Sequence, residues 1–281
     1  MMAREYEALI AAIKANDVSK VKEILARGID VNQRWYGLTP LHWAVNAGHA
    51  QIVEILLQNG ANPNMLNTPV GSDFNKIFTP LQLAASKNVN YDVIRTLIRY
   101  GADVNSKEGS PPPLIIAVMK QDPTLVKLLL DSGADVMITA ASNDSSRCYI
   151  NPLTAAGSKG NIEIGKILIQ YGARVDESGD NLITPYHSAA MFGHINFLKF
   201  LMDIHHDPNI IGCYRKTPLF SALEANLDTV KFLVEAGADV NAMDETGTTP
   251  LTYAAAKKKR DIMAYLIQHG AIAMYKGQQI K

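Results

Sequence analysis

The chain has 281 residues, 47% of them hydrophobic, enough for a well-buried core in one or two domains. Its 27 basic and 27 acidic residues cancel, which argues against a broad electrostatic hold on nucleic acid or an anionic membrane. The only cysteines, Cys148 and Cys213, stand far apart with no C-x-x-C, a usage that suits a reducing compartment and offers neither a disulfide framework nor a zinc knuckle.

The opening "MMAREYEALIAAIKANDVSK" scatters charges through its apolar positions and lacks the unbroken run of a signal peptide. No apolar stretch approaches the roughly 18 residues of a membrane span; "PLIIAVM" (113–119) is far too short. The expectation is a soluble intracellular chain, in which the sequon Asn143-Asp144-Ser145 is accidental.

From Glu7 onward one pattern recurs. "EALIAAIKANDVSKVKEILARGIDVN" starts at Glu7, "TPLHWAVNAGHAQIVEILLQNGANPN" at Thr39 and "TPLQLAASKNVNYDVIRTLIRYGADVN" at Thr79. "PPLIIAVMKQDPTLVKLLLDSGADVM" follows from Pro112, and "NPLTAAGSKGNIEIGKILIQYGARVD" from Asn151. "TPYHSAAMFGHINFLKFLMDIHHDPN" starts at Thr184, "TPLFSALEANLDTVKFLVEAGADVN" at Thr217 and "TPLTYAAAKKKRDIMAYLIQHGAIAM" at Thr249. Thr is a good N-cap, and Pro at the first helical position gives up an N–H that had no partner. A short alanine-rich helix, a polar turn and a second helix with an apolar stripe follow. Gly at 28, 60, 101, 133, 172, 237 and 270 then closes the unit at the left-handed C′ position. No such pair buries its own apolar face, but stacked copies do.

These units resemble the ankyrin repeat family over about residues 5–274, on Thr-Pro-Leu-His at 39–42, Thr-Pro-Tyr-His at 184–187 and Gly-Ala-Asp-Val-Asn at 101–105 and 237–241. The resemblance implies an all-α repeat solenoid: an ankyrin array of stacked antiparallel helix pairs joined by β-hairpin fingers. About eight units with terminal caps fall near 5–34, 38–65, 78–106, 111–137, 151–177, 184–210, 217–242 and 249–274, in a single domain over 1–276 with a short tail, 277–281. It further implies that His42 and His187 bond the Thr side chain and tether successive units.

Several stretches imitate chemistry. "LMDIHHDPN" pairs His205 and His206 beside Asp207, but they stand where other units have Gly-Ala. The expectation is an irregular helix end that costs about 1 kcal/mol for want of glycine, and no metal site. "GNIEIGKI" (160–167) nearly matches a phosphate loop but has Ile167 in place of the hydroxyl and lies along a helix. "KKKR" (257–260) reads as a solvated cap surface, and no family pattern supports Cys148 as a nucleophile.

Non-recurring residues are what remains for recognition. Two fingers are long: 65–78, with 14 residues, and 138–150, with 13. Exposed aromatic, Met and Arg residues are the candidates for partner contact: Arg34, Trp35, Tyr36, Phe74, Met119, Met191, Phe192, Tyr214 and Arg215. The expected function is a non-enzymatic adaptor or scaffold, cytoplasmic and monomeric. It binds another protein by its concave face and fingers, without cofactor, metal, nucleic acid or membrane. A bacterial effector acting in a host cytosol is one form of this. The alternative is a receptor for nucleotide- or inositol-phosphate-like ligands on the concave face, where Lys87, Lys120 and Lys159 recur one per unit.

Overall fold

A computed structural model describes residues 2–68, 76–87, 90–141, 148–177 and 181–279. The chain divides into two compact units, one formed by 1–120 and 124–135, the other by 121–123 and 136–281.

The first unit holds α1 (Met2–Lys14), α2 (Val18–Leu25), α3 (Pro40–Ala47), α4 (Ala50–Gln58), α5 (Pro80–Ser86), α6 (Tyr91–Arg99), α7 (Pro113–Met119) and α8 (Pro123–Asp131), apart from the leading Pro123 of α8. Alternate helices stack: α1 on α3, α3 on α5 and α5 on α7 in one layer, α2 on α4 and α4 on α6 in the other. Leu9, Ile24, Leu41, Ile52, Leu81 and Ile94 lie fully buried between them. Each such side chain contributes roughly 1.5–3 kcal/mol.

The second unit begins with a two-stranded finger, β1 (Ala140–Ala141) against β2 (Tyr149–Ile150). Then come α9 (Pro152–Lys159), α10 (Ile162–Gln170), α11 (Pro185–Met191), α12 (Ile195–Ile204), α13 (Pro218–Ala222), α14 (Leu227–Glu235), α15 (Pro250–Ala256) and α16 (Arg260–Gln268). A hairpin, β3 (Met274–Tyr275) with β4 (Gln278–Gln279), follows. Helices α9, α11, α13 and α15 stack in order, and Tyr186 and Phe197 are the largest buried side chains.

Sequence sets these boundaries locally. Thr39, Thr79 and Thr184 cap α3, α5 and α11 by accepting the backbone N–H of the third helical residue, and Asn151 does the same for α9. Gly60, at φ 88°, turns the chain after α4 where a Cβ would be strained. The end of α12 differs from expectation. His205 leaves the helix at φ −145°, so the extended backbone avoids the left-handed position and its cost.

A second correction concerns sulfur. Cys148 and Cys213, 65 residues apart, form a disulfide with their Cα atoms 6.0 Å apart. The spacing that argued against a disulfide framework is closed by the folding of fingers onto one another. Cys148 is buried, and its sulfur is engaged in this bond.

Candidate binding surface

The repeated polar residues are consumed in tying each unit to the next. Thr39 Oγ1 lies 2.8 Å from His42 Nδ1, and His42 Nε2 lies 3.2 Å from the Phe78 carbonyl of the following finger. A carbonyl only accepts, so Nε2 carries the proton and Nδ1 accepts from the threonine hydroxyl. His187 repeats this with Thr184 Oγ1 at 2.7 Å and the Lys216 carbonyl at 2.7 Å. Burial pushes each imidazole down to about 4, which keeps both neutral.

Other residues fill the same register. Gln82 Nε2 reaches the Ser110 carbonyl at 2.9 Å, Thr154 Oγ1 the Ile183 carbonyl at 2.7 Å, and Thr252 Oγ1 the Met274 carbonyl at 2.9 Å. Asparagines that follow five of the closing turns make a second ladder. Asn32, Asn64, Asn105, Asn209 and Asn241 donate to the carbonyls of Gly60, Gly101, Gly133, Gly237 and Gly270. Their Oδ1 atoms accept the backbone N–H two residues beyond each of those glycines.

The candidates from sequence sort differently. Trp35 and Leu38 exchange backbone hydrogen bonds at 2.7 and 3.2 Å across Tyr36-Gly37, whose φ angles are 49° and 76°. That is a two-residue hairpin turn with both central residues left-handed, a conformation that favours Asn and Gly. Tyr36 nevertheless occupies it, 68% exposed. Lys216 N–H bonds the Cys213 carbonyl at 3.3 Å across Tyr214 and Arg215, at φ 60° and 55°, and both side chains are exposed. Trp35 is half-buried, stacked on Tyr6 at 6.0 Å, and the two rings line a cavity of about 580 Å³ with Arg27, Asp30 and Gln33. Arg34 is engaged: its Nη2 and Nε donate to the Leu66 carbonyl at 2.9 and 3.2 Å, tying the first finger to the second.

At the ends of first helices, Met119, Met191 and Phe192 are 39%, 40% and 58% exposed, and Phe192 stacks on His194. Phe74 and the sequon at 143–145 lie outside the described residues. Both long fingers have closed necks. Buried Asn67 donates to the Lys76 carbonyl at 3.1 Å and its backbone N–H bonds Phe78 at 3.0 Å, while β1 and β2 pair at the base of the other finger.

The stretches that imitate chemistry make structural contacts. His206 Nε2 lies 3.1 Å from the Ala236 carbonyl, and the His205 carbonyl accepts from Tyr186 Oη. Among the described residues no group of three His, Cys, Asp or Glu could hold a metal ion. Gly160 caps α9, and the rest of the phosphate-loop-like stretch is the turn and start of α10. Lys257 pairs with Glu224 at 3.0 Å, and its ammonium stands over the Tyr253 ring.

Helix pairs stacked in layers and laced together at their fingers define an α-repeat protein, and the tethering pattern narrows the class further. A family model described as ankyrin repeats in three copies matches residues 2–67, 65–140, 114–212 and 187–276. The chain belongs to the ankyrin repeat family, whose repeats are a generic protein-interaction module. It is 27% identical over 284 residues to human transient receptor potential cation channel subfamily A member 1, covering 84% of this chain and 24% of the channel. It is 34% identical over 184 residues to the ankyrin repeat protein FPV014 of fowlpox virus (strain NVSL), covering 63% of this chain and 38% of that protein. The chain thus spans 24% and 38% of the lengths of these two relatives. Among solved structures it is similar to the ankyrin repeat domain of Bcl-3, a member of the IkappaB family. That match has a TM-score of 0.64 and 23% identity over 81% of this chain and 97% of that one, a likeness of fold alone. Among the described residues no helix is long and apolar enough to cross a membrane.

Proposed function

We propose that this chain is a non-enzymatic interaction module that holds a protein partner by residues outside the repeat pattern. In the first unit these are Trp35 and Tyr36 of the first finger, with Met119. In the second unit they are Met191 and Phe192, with the Tyr214-Arg215 turn. The reading is carried by one observation: Tyr36 and Tyr214 project from left-handed turn positions that a smaller residue would occupy with less strain. A bulky residue at such a position costs about 1–2 kcal/mol, and strain of this kind gathers where a side chain has a task beyond folding. Tyrosine is also a frequent interface anchor. The likeness to a fowlpox virus ankyrin repeat protein supports an effector-like role for the module.

The test is Tyr36→Asn and Tyr214→Asn, each giving the turn a residue that favours its backbone. Each variant is expected to melt at or above the wild-type temperature. Each is also expected to recover at least about fivefold less of the specific partner in quantitative affinity capture, the loss of about 1 kcal/mol that defines a contributing contact. Undiminished capture by both variants would refute the assignment.

A further inference from the structure

Three consecutive fingers of the second unit meet around Leu182. Tyr149 N–H donates to the Asn181 carbonyl at 2.7 Å, and Ile183 N–H donates to the Tyr149 carbonyl at 2.9 Å. From the other side, Cys213 N–H donates to the Leu182 carbonyl at 2.9 Å. The middle segment is therefore held between the finger that ends in Cys148 and Tyr149 and the finger that carries Cys213 and Tyr214. The two sulfurs join across it, from Cα atoms 6.0 Å apart, within the span a disulfide allows.

We infer that Cys148 and Cys213 form a reversible thiol–disulfide site that locks three successive fingers together. Its oxidants are low-molecular-weight disulfides and its reductants low-molecular-weight thiols. The contacts around it make reversal feasible. The three inter-finger hydrogen bonds are backbone bonds that need no sulfur, and α9, α11 and α13 carry buried side chains of their own, Leu153, Tyr186 and Leu219. Reduction thus releases the clamp and leaves the fold standing. Entry is at Cys213, which is 8% exposed against 2% for Cys148 and abuts the exposed Tyr214-Arg215 turn.

The chemistry balances as two exchanges. The Cys213 thiolate attacks one sulfur of oxidised glutathione, whose S–S bond breaks and releases one glutathione thiolate. The Cys148 thiolate then attacks the Cys213 sulfur of the mixed disulfide, closes the protein bond and releases the second glutathione thiolate. The two protons leave the cysteine thiols for solvent and return to the released thiolates. Two electrons pass from the protein to glutathione. In a repeat array, coupling runs between nearest neighbours. A bond between the first and third of three fingers adds a coupling the framework lacks, so oxidation makes two inter-finger contacts open together.

The experiment equilibrates the full chain in glutathione buffers of graded redox ratio, traps thiols by alkylation and maps peptides by mass spectrometry. Hydrogen exchange is followed at the Tyr149, Ile183 and Cys213 amides. The expected result is a single two-electron transition in which both cysteines change together, with unchanged helical circular dichroism. Those three amides should exchange at least tenfold faster in the reduced form, and Cys148→Ser in oxidising buffer should show the same acceleration. Thiols that stay free in the most oxidising buffer, or that each end as a stable glutathione adduct, would overturn the inference. So would a bond that resists the most reducing buffer, or amides indifferent to redox state.

Discussion

At the scale of single residues, the fourth position of a unit sets how its capping side chain and the next finger are bonded. His42 and His187 bond both the capping threonine and the next finger; Gln82, Thr154 and Thr252 make the forward tether by other chemistry. Phe220 occupies this position in the unit of α13, and Thr217 Oγ1 is left buried without a hydrogen-bond partner. A buried hydroxyl so placed costs on the order of 1–3 kcal/mol. Thr217→Val, an isosteric change, is therefore expected to stabilise the chain by about 1 kcal/mol, whereas Thr184→Val costs about 1–2 kcal/mol by orphaning His187 Nδ1. Urea midpoints of the two variants should move in opposite directions, and a loss from Thr217→Val would contradict the reading. The histidines add a pH dependence. Both are held near 4 when folded, against 6.5 for an exposed imidazole, so the unfolded chain takes up their protons first as pH falls. Their contribution is complete above pH 6.5 and is lost between 6.5 and about 4. The slope is up to about 1.4 kcal/mol per pH unit for each. His42→Gln and His187→Gln, which borrow the Gln82 solution, should each flatten the stability profile in that window. Profiles parallel to wild type would show that these imidazoles already protonate in the folded chain.

Elements carry their own constraints. Helix α9 approaches the start of α11 so closely that a Cβ on Gly157 would lie 2.8 Å from the Pro185 carbonyl oxygen, a backbone atom that cannot swing aside. Alanine has the better helix propensity by about 1 kcal/mol. Overpacking against backbone costs about 1–3 kcal/mol and decides the sign. Gly157→Ala is expected to lower the urea midpoint and leave the far-ultraviolet circular dichroism unchanged; a stabilised variant would mean that the two helices have room to separate. This close approach was hidden in the sequence, where Gly157 reads as one more small residue among alanines. The helix pairs themselves were legible, because Thr-Pro starts and Gly ends recur with fixed chemistry. The fingers were less so. The left-handed turns at Tyr36 and Tyr214 break the preference for Asn and Gly, and no local signal reveals a residue placed against its propensity. Nor does any local signal reveal that the Arg34 guanidinium, a candidate for partner contact, also donates to the Leu66 carbonyl of the next finger.

On the scale of the whole chain, the repeat period exposed the fold and concealed its one covalent tie. Cys148 lies three residues before Asn151 and Cys213 four before Thr217, so the cysteines occupy nearly equivalent places two repeats apart. Helices pack about 8–10 Å apart, so residues two repeats apart are expected at roughly twice that distance, far beyond disulfide reach. The Cα separation of 6.0 Å shows that the chain at Cys148 and at Cys213 comes together beside Leu182, an approach that no count of residues supplies. The consequence for stability follows from the 65-residue separation the bond closes. In the chain-entropy account a loop of that size is worth about 4 kcal/mol, by removing open conformations from the unfolded chain. Oxidised protein should therefore melt several degrees above reduced protein, at roughly 2–4 °C per kcal/mol for a chain of this size. Cys148→Ser and Cys213→Ser should each match the reduced wild type and ignore the reductant. If the serine variants fall well below reduced wild type, the cysteines matter as buried packing groups rather than as a bond. If all four samples melt together, the fingers already confine the chain as tightly as the bond does.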